Sequence, residues 1–248
     1  MRQLFLQIQI FGDQSADYIL EDVGVKYMVQ HRLCPAGVLG GFFKSCFSCL
    51  SIAQGKQTTG DLKQWIEEFT TEYPREAIQL MFTSNHDENS WSGTEFERLG
   101  AAAKTFAALT YVLPQGQPLI YTGQEVGYDH RFEFFEKDPI PAWEANEYTD
   151  FYRTLNQLRH TTPSLWAGEK GGEVVYLTGV VEEVLAFTRE VEGSKTLCLF
   201  NLSAEPQSVI PTVEAAGEYT CAMTGEKATI EAGKELHLEP WAYMILTK

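Results

Sequence analysis

The chain has 248 residues, 44% of them hydrophobic, and carries a formal net charge of −15. That length suits one large domain or two modest ones. The acidity argues against nucleic acid or an anionic membrane surface as partner, since both need clustered Lys and Arg, whereas a neutral substrate is compatible with it.

The first quarter differs from the rest. Residues 1–58 hold five basic and four acidic residues, while residues 59–248 hold 14 and 30. Three of the five cysteines, Cys34, Cys46 and Cys49, also fall early. An odd number of cysteines rules out a complete disulfide framework, and Cys198, in an apolar strand-like run, reads as a core thiol. Residues 4–11 have the period of a strand. No small-residue cleavage site of a signal peptide follows them, so the sequence assigns no compartment. Residues 12–57 show no clear periodicity. The apolar stretch 37–53 is short and interrupted by Lys44, below the roughly 20 residues that a membrane-spanning helix needs. His31-x-x-Cys34 and Cys46-x-x-Cys49 have zinc-like spacing. A segment translated in a shifted frame up to about Ser51 explains the scattered cysteines better, so no metal is assigned.

Beyond this point the signals sharpen. Asp61 through Tyr73 reads as a helix capped by Asp61 and ended by Pro74. Gln79–Ser84 reads as a short buried strand, followed by a polar loop over Asn85–Gly93. Thr94 and Glu97 have capping-box spacing and open a long helix from Glu95 to about Leu113, stopped by Pro114. Pro118–Thr122 is a second buried strand. A loop of about 20 residues rich in aromatics and charges follows, a length that is usually functional or disordered. Glu147–His160 reads as an amphipathic helix ending before Pro163. Alternating strands and helices imply βα units with a parallel sheet. After Gly168 the pattern changes to short alternating runs at Glu173–Thr178, Val184–Arg189, Thr196–Asn201, Tyr219–Met223 and Trp241–Thr247, the mark of an antiparallel β-sandwich. The expected division is an unmatched segment over 1–57, an α/β part over 58–167 and an all-β part over 168–248.

Two strand ends carry polar groups: Phe82-Thr83-Ser84-Asn85-His86-Asp87, and Gly116-Gln117-Pro118-Leu119-Ile120-Tyr121-Thr122-Gly123-Gln124-Glu125. In a (β/α)8 barrel the carboxyl ends of strands are where catalytic residues sit. The first run resembles the fourth signature region of the alpha-amylase superfamily, glycoside hydrolase family 13, at the end of its seventh barrel strand. The second resembles that family's eighth strand and the loop after it, and an appended β-sandwich also fits. The resemblance covers roughly residues 51–248. It implies the C-terminal part of a (β/α)8 TIM barrel followed by an antiparallel β-sandwich.

It further implies action on α-1,4-linked glucans or maltooligosaccharides, with no cofactor. Structural calcium is common in the family, but its ligands would lie upstream of the matching motifs. Asp87 would be the transition-state stabiliser, His86 would donate a hydrogen bond to the same sugar, and Asn85 would contact it or hold the turn. Trp91 and Tyr121, with Tyr128 and the 132–135 aromatic run, would offer faces for stacking; ordinary packing beneath a loop is the alternative for each. Glu125 reads as structural.

Retaining glycosidases use two carboxylates about 5 Å apart. The family's nucleophile follows a Gly-x-Arg-x motif upstream of Asn-His-Asp, and residues 1–80 contain no such motif. Asp61, Glu67, Glu68, Glu72 and Glu76 belong to a helix and its exit. The chain alone is therefore expected to lack turnover. Two other classes compete: a non-catalytic glucan-binding module, and a relative of the amylase-like ectodomain of an amino-acid transporter subunit.

Overall fold

The computed structural model describes residues 50–248. The readings made on 4–11 and on His31, Cys34, Cys46 and Cys49 lie outside that range. Among the described residues no three His, Cys, Asp or Glu side chains gather as a metal site, and no helix is long and apolar enough to cross a membrane.

Residues 50–53 are helical, and Ile52 is buried in the main core. Helix α1 spans Thr59–Glu72. Its N-cap is Thr58, not Asp61: Asp61 is the third helical residue, and its carboxylate accepts from the Thr58 backbone at 2.7 Å, closing a capping box. Strand β1, Gln79–Met81, pairs in parallel with β2, Gly116–Pro118. β1 is shorter than the Gln79–Ser84 run that predicts it, and β2 begins two residues before the expected Pro118–Thr122 and shares only Pro118 with it. The ladder ends at the Met81–Pro118 pair, and each strand has one neighbour among the described residues.

The helix expected over Glu95–Leu113 is two helices, α2 (Glu95–Leu99) and α3 (Ala103–Val112), joined by a 3-10 turn at Gly100–Ala102. Gly100 makes the break: its φ of 55° and ψ of −128° suit a residue without Cβ. The break lets α2 face the loop region while α3, buried on nearly all sides, enters the core. Helix α4 follows over Glu147–Thr161, with Asn146 as N-cap.

The all-β part is built on a six-stranded antiparallel sheet in the order β3-β4-β5-β10-β7-β8. The strands are β3 (Glu173–Tyr176), β4 (Val184–Val191), β5 (Ser194–Asn201), β7 (Gly217–Cys221), β8 (Lys227–Ile230) and β10 (Tyr243–Thr247). A ribbon of β6 (Gln207–Val209) and β9 (Leu236–Leu238) is separate from it. The period-2 pattern finds the long central strands; it misses β6, β8 and β9, which have three or four residues each.

Both faces of the central sheet are covered. Val184, Ala186, Leu197, Leu199 and Leu246 pack with Val209 and Leu238 of the ribbon. Leu185, Phe187, Cys198, Phe200 and Ile245 join the core built by the helices. Cys198 is the buried thiol its apolar surroundings suggest, and burial pushes its pKa up.

A buried arginine fastens the sheet to the helices, and a half-buried one ties α4 to the end of α3 and to β2. Arg189 on β4 is 1% exposed. Its guanidinium donates to the carbonyls of Gly172, Val112, Leu113, Leu165 and Trp166 at 2.8–3.2 Å. Arg159 on α4 donates to the carbonyls of Tyr111, Leu165 and Gly116. Burial pushes Arg189 down to about 9 and Arg159 down to about 10, so both remain cationic at neutral pH. The orphan carbonyls at the end of α3 are favourable partners for a cation, because a helix C-terminus carries partial negative charge.

Candidate active site

The chain turns sharply after β1. Asn85 Oδ1 accepts from the Glu88 backbone at 2.7 Å and the Asn85 carbonyl accepts from Asn89 N at 2.9 Å. Asn85 thus caps the turn that its type and position favour, and its carboxamide oxygen is engaged there. A π-helical turn follows over Glu88–Ser92 and ends at Gly93, whose φ is 114°. Short π-helical turns of this kind are frequent at functional sites.

Asp87 makes no capping bond. Its side chain is about half exposed, and His86 Nε2 lies 3.6 Å from Asp87 Oδ2, with the imidazole more exposed still. Tyr121, just beyond β2, is brought near this carboxylate: burial first, and then the charge of Asp87, raise its phenol above the ordinary value. Asp87, His86 and Tyr121 therefore converge at the carboxyl ends of two parallel strands. Trp91 lies one turn further on, 65% exposed, and stacks obliquely with Phe134 at 5.4 Å. Tyr128 and Phe132 pack on each other beneath the loop.

Residues that the sequence did not single out hold this geometry. Gln124, 3% exposed, accepts from the Tyr121 backbone at 2.7 Å and donates to Thr83 Oγ1 at 2.9 Å, tying the two strand ends together. Arg98 donates to the carbonyls of Thr83 (2.6 Å) and Gly93 (2.8 Å) and lies 3.4 Å from the Glu88 carboxylate. It thereby braces both ends of the turn bearing Asp87. Gln124 belongs to the quoted run that ends Gly123-Gln124-Glu125. Arg98 had no signal beyond its place on an expected helix.

The carboxylates flanking the turn are structural in their bonding. Glu88 is buried against Arg98. Glu95, 5% exposed, opens α2; burial raises its pKa, partly opposed by hydrogen bonds from its own backbone and from Gln124. A carboxyl with a folded-state pKa above its unfolded value destabilises the fold once ionised, and the penalty disappears below the unfolded pKa. Glu95→Gln is therefore expected to raise the melting temperature at pH 8 and to leave it unchanged near pH 3. A variant less stable than the parent at pH 8 would contradict this. Glu125 has one carboxylate oxygen, Oε2, buried without a hydrogen-bond partner, while its carbonyl accepts from Thr149 Oγ1.

Known proteins share this fold. Over 142 residues the chain is 32% identical to the 1,4-alpha-glucan branching enzyme of Corynebacterium glutamicum, covering 52% of this chain and 19% of that protein. The structure superposes on a noncanonic maltogenic alpha-amylase, AmyB from Thermotoga neapolitana, with a TM-score of 0.66 and 19% identity, over 84% of this chain and 49% of that one. An AmyP variant solved in complex with maltotriose matches with a TM-score of 0.61 and 15% identity, over 82% of this chain and 49% of that one. The chain thus spans about half the length of the solved relatives and a fifth of the curated one. At these identities the superpositions speak for the fold. A family model, the alpha-amylase catalytic domain, matches residues 44–174, more than half of the sequence and reaching back past the residues that the motifs alone identify; the chain belongs to the alpha-amylase family of glycoside hydrolases.

Proposed function

We propose that β1 and β2 are the seventh and eighth strands of an amylase-type (β/α)8 barrel, and that the site at their ends binds the sugar at which an α-1,4-glucan is cleaved or transferred with retention. The observation that carries this is the convergence of Asp87, His86 and Tyr121 beyond two adjacent parallel strands. In this reading Asp87 accepts hydrogen bonds from sugar hydroxyls that tighten as the ring flattens towards an oxocarbenium-like state, which lowers the barrier. His86 donates to a hydroxyl of the same sugar, and its exposed imidazole beside a carboxylate suits that role. Tyr121, with its phenol held protonated, offers an aromatic face and a donor at the rim. Asn85, committed to the turn through its side-chain oxygen, positions Asp87 and reaches the sugar only through its amide nitrogen.

The second reading, a glucan-binding module without chemistry, draws on the exposed aromatics Trp91 and Phe134 beside the turn. Both readings predict retention on a starch gel and differ in its dependence on Asp87. For the proposed function, Asp87→Asn weakens retention and the unmodified chain releases no reducing sugar from starch. Retention insensitive to Asp87→Asn favours the module. Hydrolysis by the purified chain that disappears in the same variant would show that the two further carboxylates are present after all.

A further inference from the structure

A cavity of about 290 Å3 opens at the far end of the β1–β2 pair. Arg75 lies before β1, and Pro114 and Gln115 lie before β2, so the cavity sits at the amino ends of these strands, away from Asp87 at their carboxyl ends. Its walls come from both parts of the chain: Ile66 and Glu67 from α1, and Val174 and Tyr176 from β3. Arg189 also lines it, but that guanidinium is already given to backbone carbonyls. The volume falls just below the usual range of small-molecule clefts, which sets a small occupant.

Polar groups in this cavity lack partners. The Tyr176 hydroxyl is buried and makes no hydrogen bond, an arrangement that costs stability. Burial, and then the charge of Glu67, raise its pKa above the ordinary value, so it stays protonated beside that carboxylate. The Glu67 carboxylate makes no hydrogen bond or ion pair among the described residues. Arg75 donates to Glu173 Oε1 and to the Gly171 carbonyl, both at 3.0 Å. These bonds tie the approach of β1 to β3 and leave the rest of the guanidinium fork uncommitted among the described residues. Gln115, 6% exposed, holds the wall: its Nε2 donates to the Pro74 carbonyl at 2.9 Å. Its backbone lies in the left-handed region, with a φ of 51°, which residues with a side chain rarely adopt. Strain of this kind collects at functional positions.

We infer that this cavity is a second ligand site, which takes a small zwitterion with an apolar side chain, of the α-amino-acid class. The ligand's carboxylate accepts from the free part of the Arg75 fork, a charge-assisted contact. Its ammonium donates to Glu67 and to the Tyr176 oxygen, which supplies the hydroxyl's missing partner. Its side chain lies on Ile66, Pro114 and Val174. A singly charged ligand would pair with one of Arg75 and Glu67 and desolvate the other without compensation. A neutral polyol would leave the apolar wall unused. A ligand held in this way bridges α1 and β3, so its binding free energy adds to the stability of their junction.

The test is thermal unfolding and calorimetric titration of the full chain with L-leucine. Leucine should bind and raise the melting temperature with its concentration. The probes 4-methylpentanoate, isopentylamine and glucose keep only the carboxylate, only the ammonium, or neither, and should each bind about tenfold more weakly or worse. Tyr176→Phe removes only the unbonded hydroxyl. Without ligand its melting temperature should equal or exceed the parent's, while its leucine affinity should fall roughly tenfold. Glu67→Gln and Arg75→Gln should each weaken leucine binding by about tenfold or more. Glu72→Gln, which changes an exposed carboxylate of the same helix outside the cavity, should change it less than about twofold. Absence of leucine binding, or unchanged affinity in Tyr176→Phe, overturns the site and leaves the proposed function standing, since Asp87 takes no part in it. Glucose or either singly charged analogue binding as tightly as leucine overturns the zwitterion as its ligand. A ligand-free Tyr176→Phe less stable than the parent would show that the hydroxyl is satisfied within the fold, and would likewise overturn the site.

Discussion

Arg189→Leu is expected to cost about 4 kcal/mol or more of unfolding free energy, enough to leave the chain unfolded or aggregated at 37 °C. The side chain is fully buried and its guanidinium meets five backbone carbonyls drawn from the end of α3, the segment after α4 and the approach to β3. Leucine fills most of the volume but leaves these acceptors, apart from the Leu165 carbonyl that Arg159 also reaches, without the guanidinium's hydrogen bonds, at about 1–3 kcal/mol for each that water fails to reach. Among the described residues no carboxylate balances this cation; its partners are carbonyl dipoles, so the loss cannot be compensated by neutralising an opposite charge. Arg189→Lys should fall between the two, since a single ammonium with three donors cannot span a fork that reaches five oxygens. Urea titration followed by circular dichroism measures the effect, and a loss below about 1 kcal/mol for Arg189→Leu would remove Arg189 from this role.

The second large effect concerns the all-β part in isolation. Residues 168–248 read as a separate all-β part, and the strands do form. Yet one face of the six-stranded sheet, bearing Leu185, Phe187, Phe200 and Ile245, is buried in the core shared with α3 and its neighbours, not in the sandwich's own. At about 1.5–3 kcal/mol for each large side chain, exposing these four forfeits roughly 6–12 kcal/mol, comparable to the roughly 5–15 kcal/mol by which a whole domain is stable. Phe106 of α3, wholly buried against Trp241, and Thr105, which donates to the Trp241 carbonyl, belong to the same contact. The fragment is therefore expected to bind a hydrophobic dye and to give a poorly dispersed amide spectrum. A dispersed spectrum with cooperative unfolding would show that the sheet tolerates an open face.

The sequence is most legible where a local rule acts alone. The Thr94–Glu97 capping box, the amphipathic helix beginning at Glu147 and the apolar centres of β4 and β5 all follow from patterns within a few residues. The break at Gly100 does not, because a single glycine within a helical pattern is tolerated as often as it interrupts. Only the competing demands of the loop and the sheet decide it here. The candidate site divides in the same way. Asn85, His86 and Asp87 are adjacent in the chain and stand out as a motif. Asn89 looks like any polar loop residue until the backbone of His130 and Phe132, more than 40 positions away, is brought against it. Arg98 and Gln124 likewise act through partners that no local pattern identifies. Stacking residues were legible as types and not as a pair: nothing in the spacing of Trp91 and Phe134 says that they meet.

Burial on both sides of the central sheet has a consequence for how its strands find each other. In a sheet with one wet face, a shift by one residue turns apolar side chains outward and is rejected by the solvent. Here β5 and β10 pair over Thr196–Phe200 and Tyr243–Thr247, and a shifted pairing would still bury apolar groups on either side. Hydrophobicity is therefore nearly blind to the alignment, and the choice falls to the few polar side chains inside. Asn201 is the chief one. Its backbone N–H bonds the Ala242 carbonyl, and its carboxamide nitrogen reaches the carbonyls of Leu238 and Glu239 on the path into β10. A shift of one position would strand all of these in a dry interior. The alignment that joins the last strand to the first hairpin is thus read from an amide, with the greasy residues around it supplying adhesion but no address.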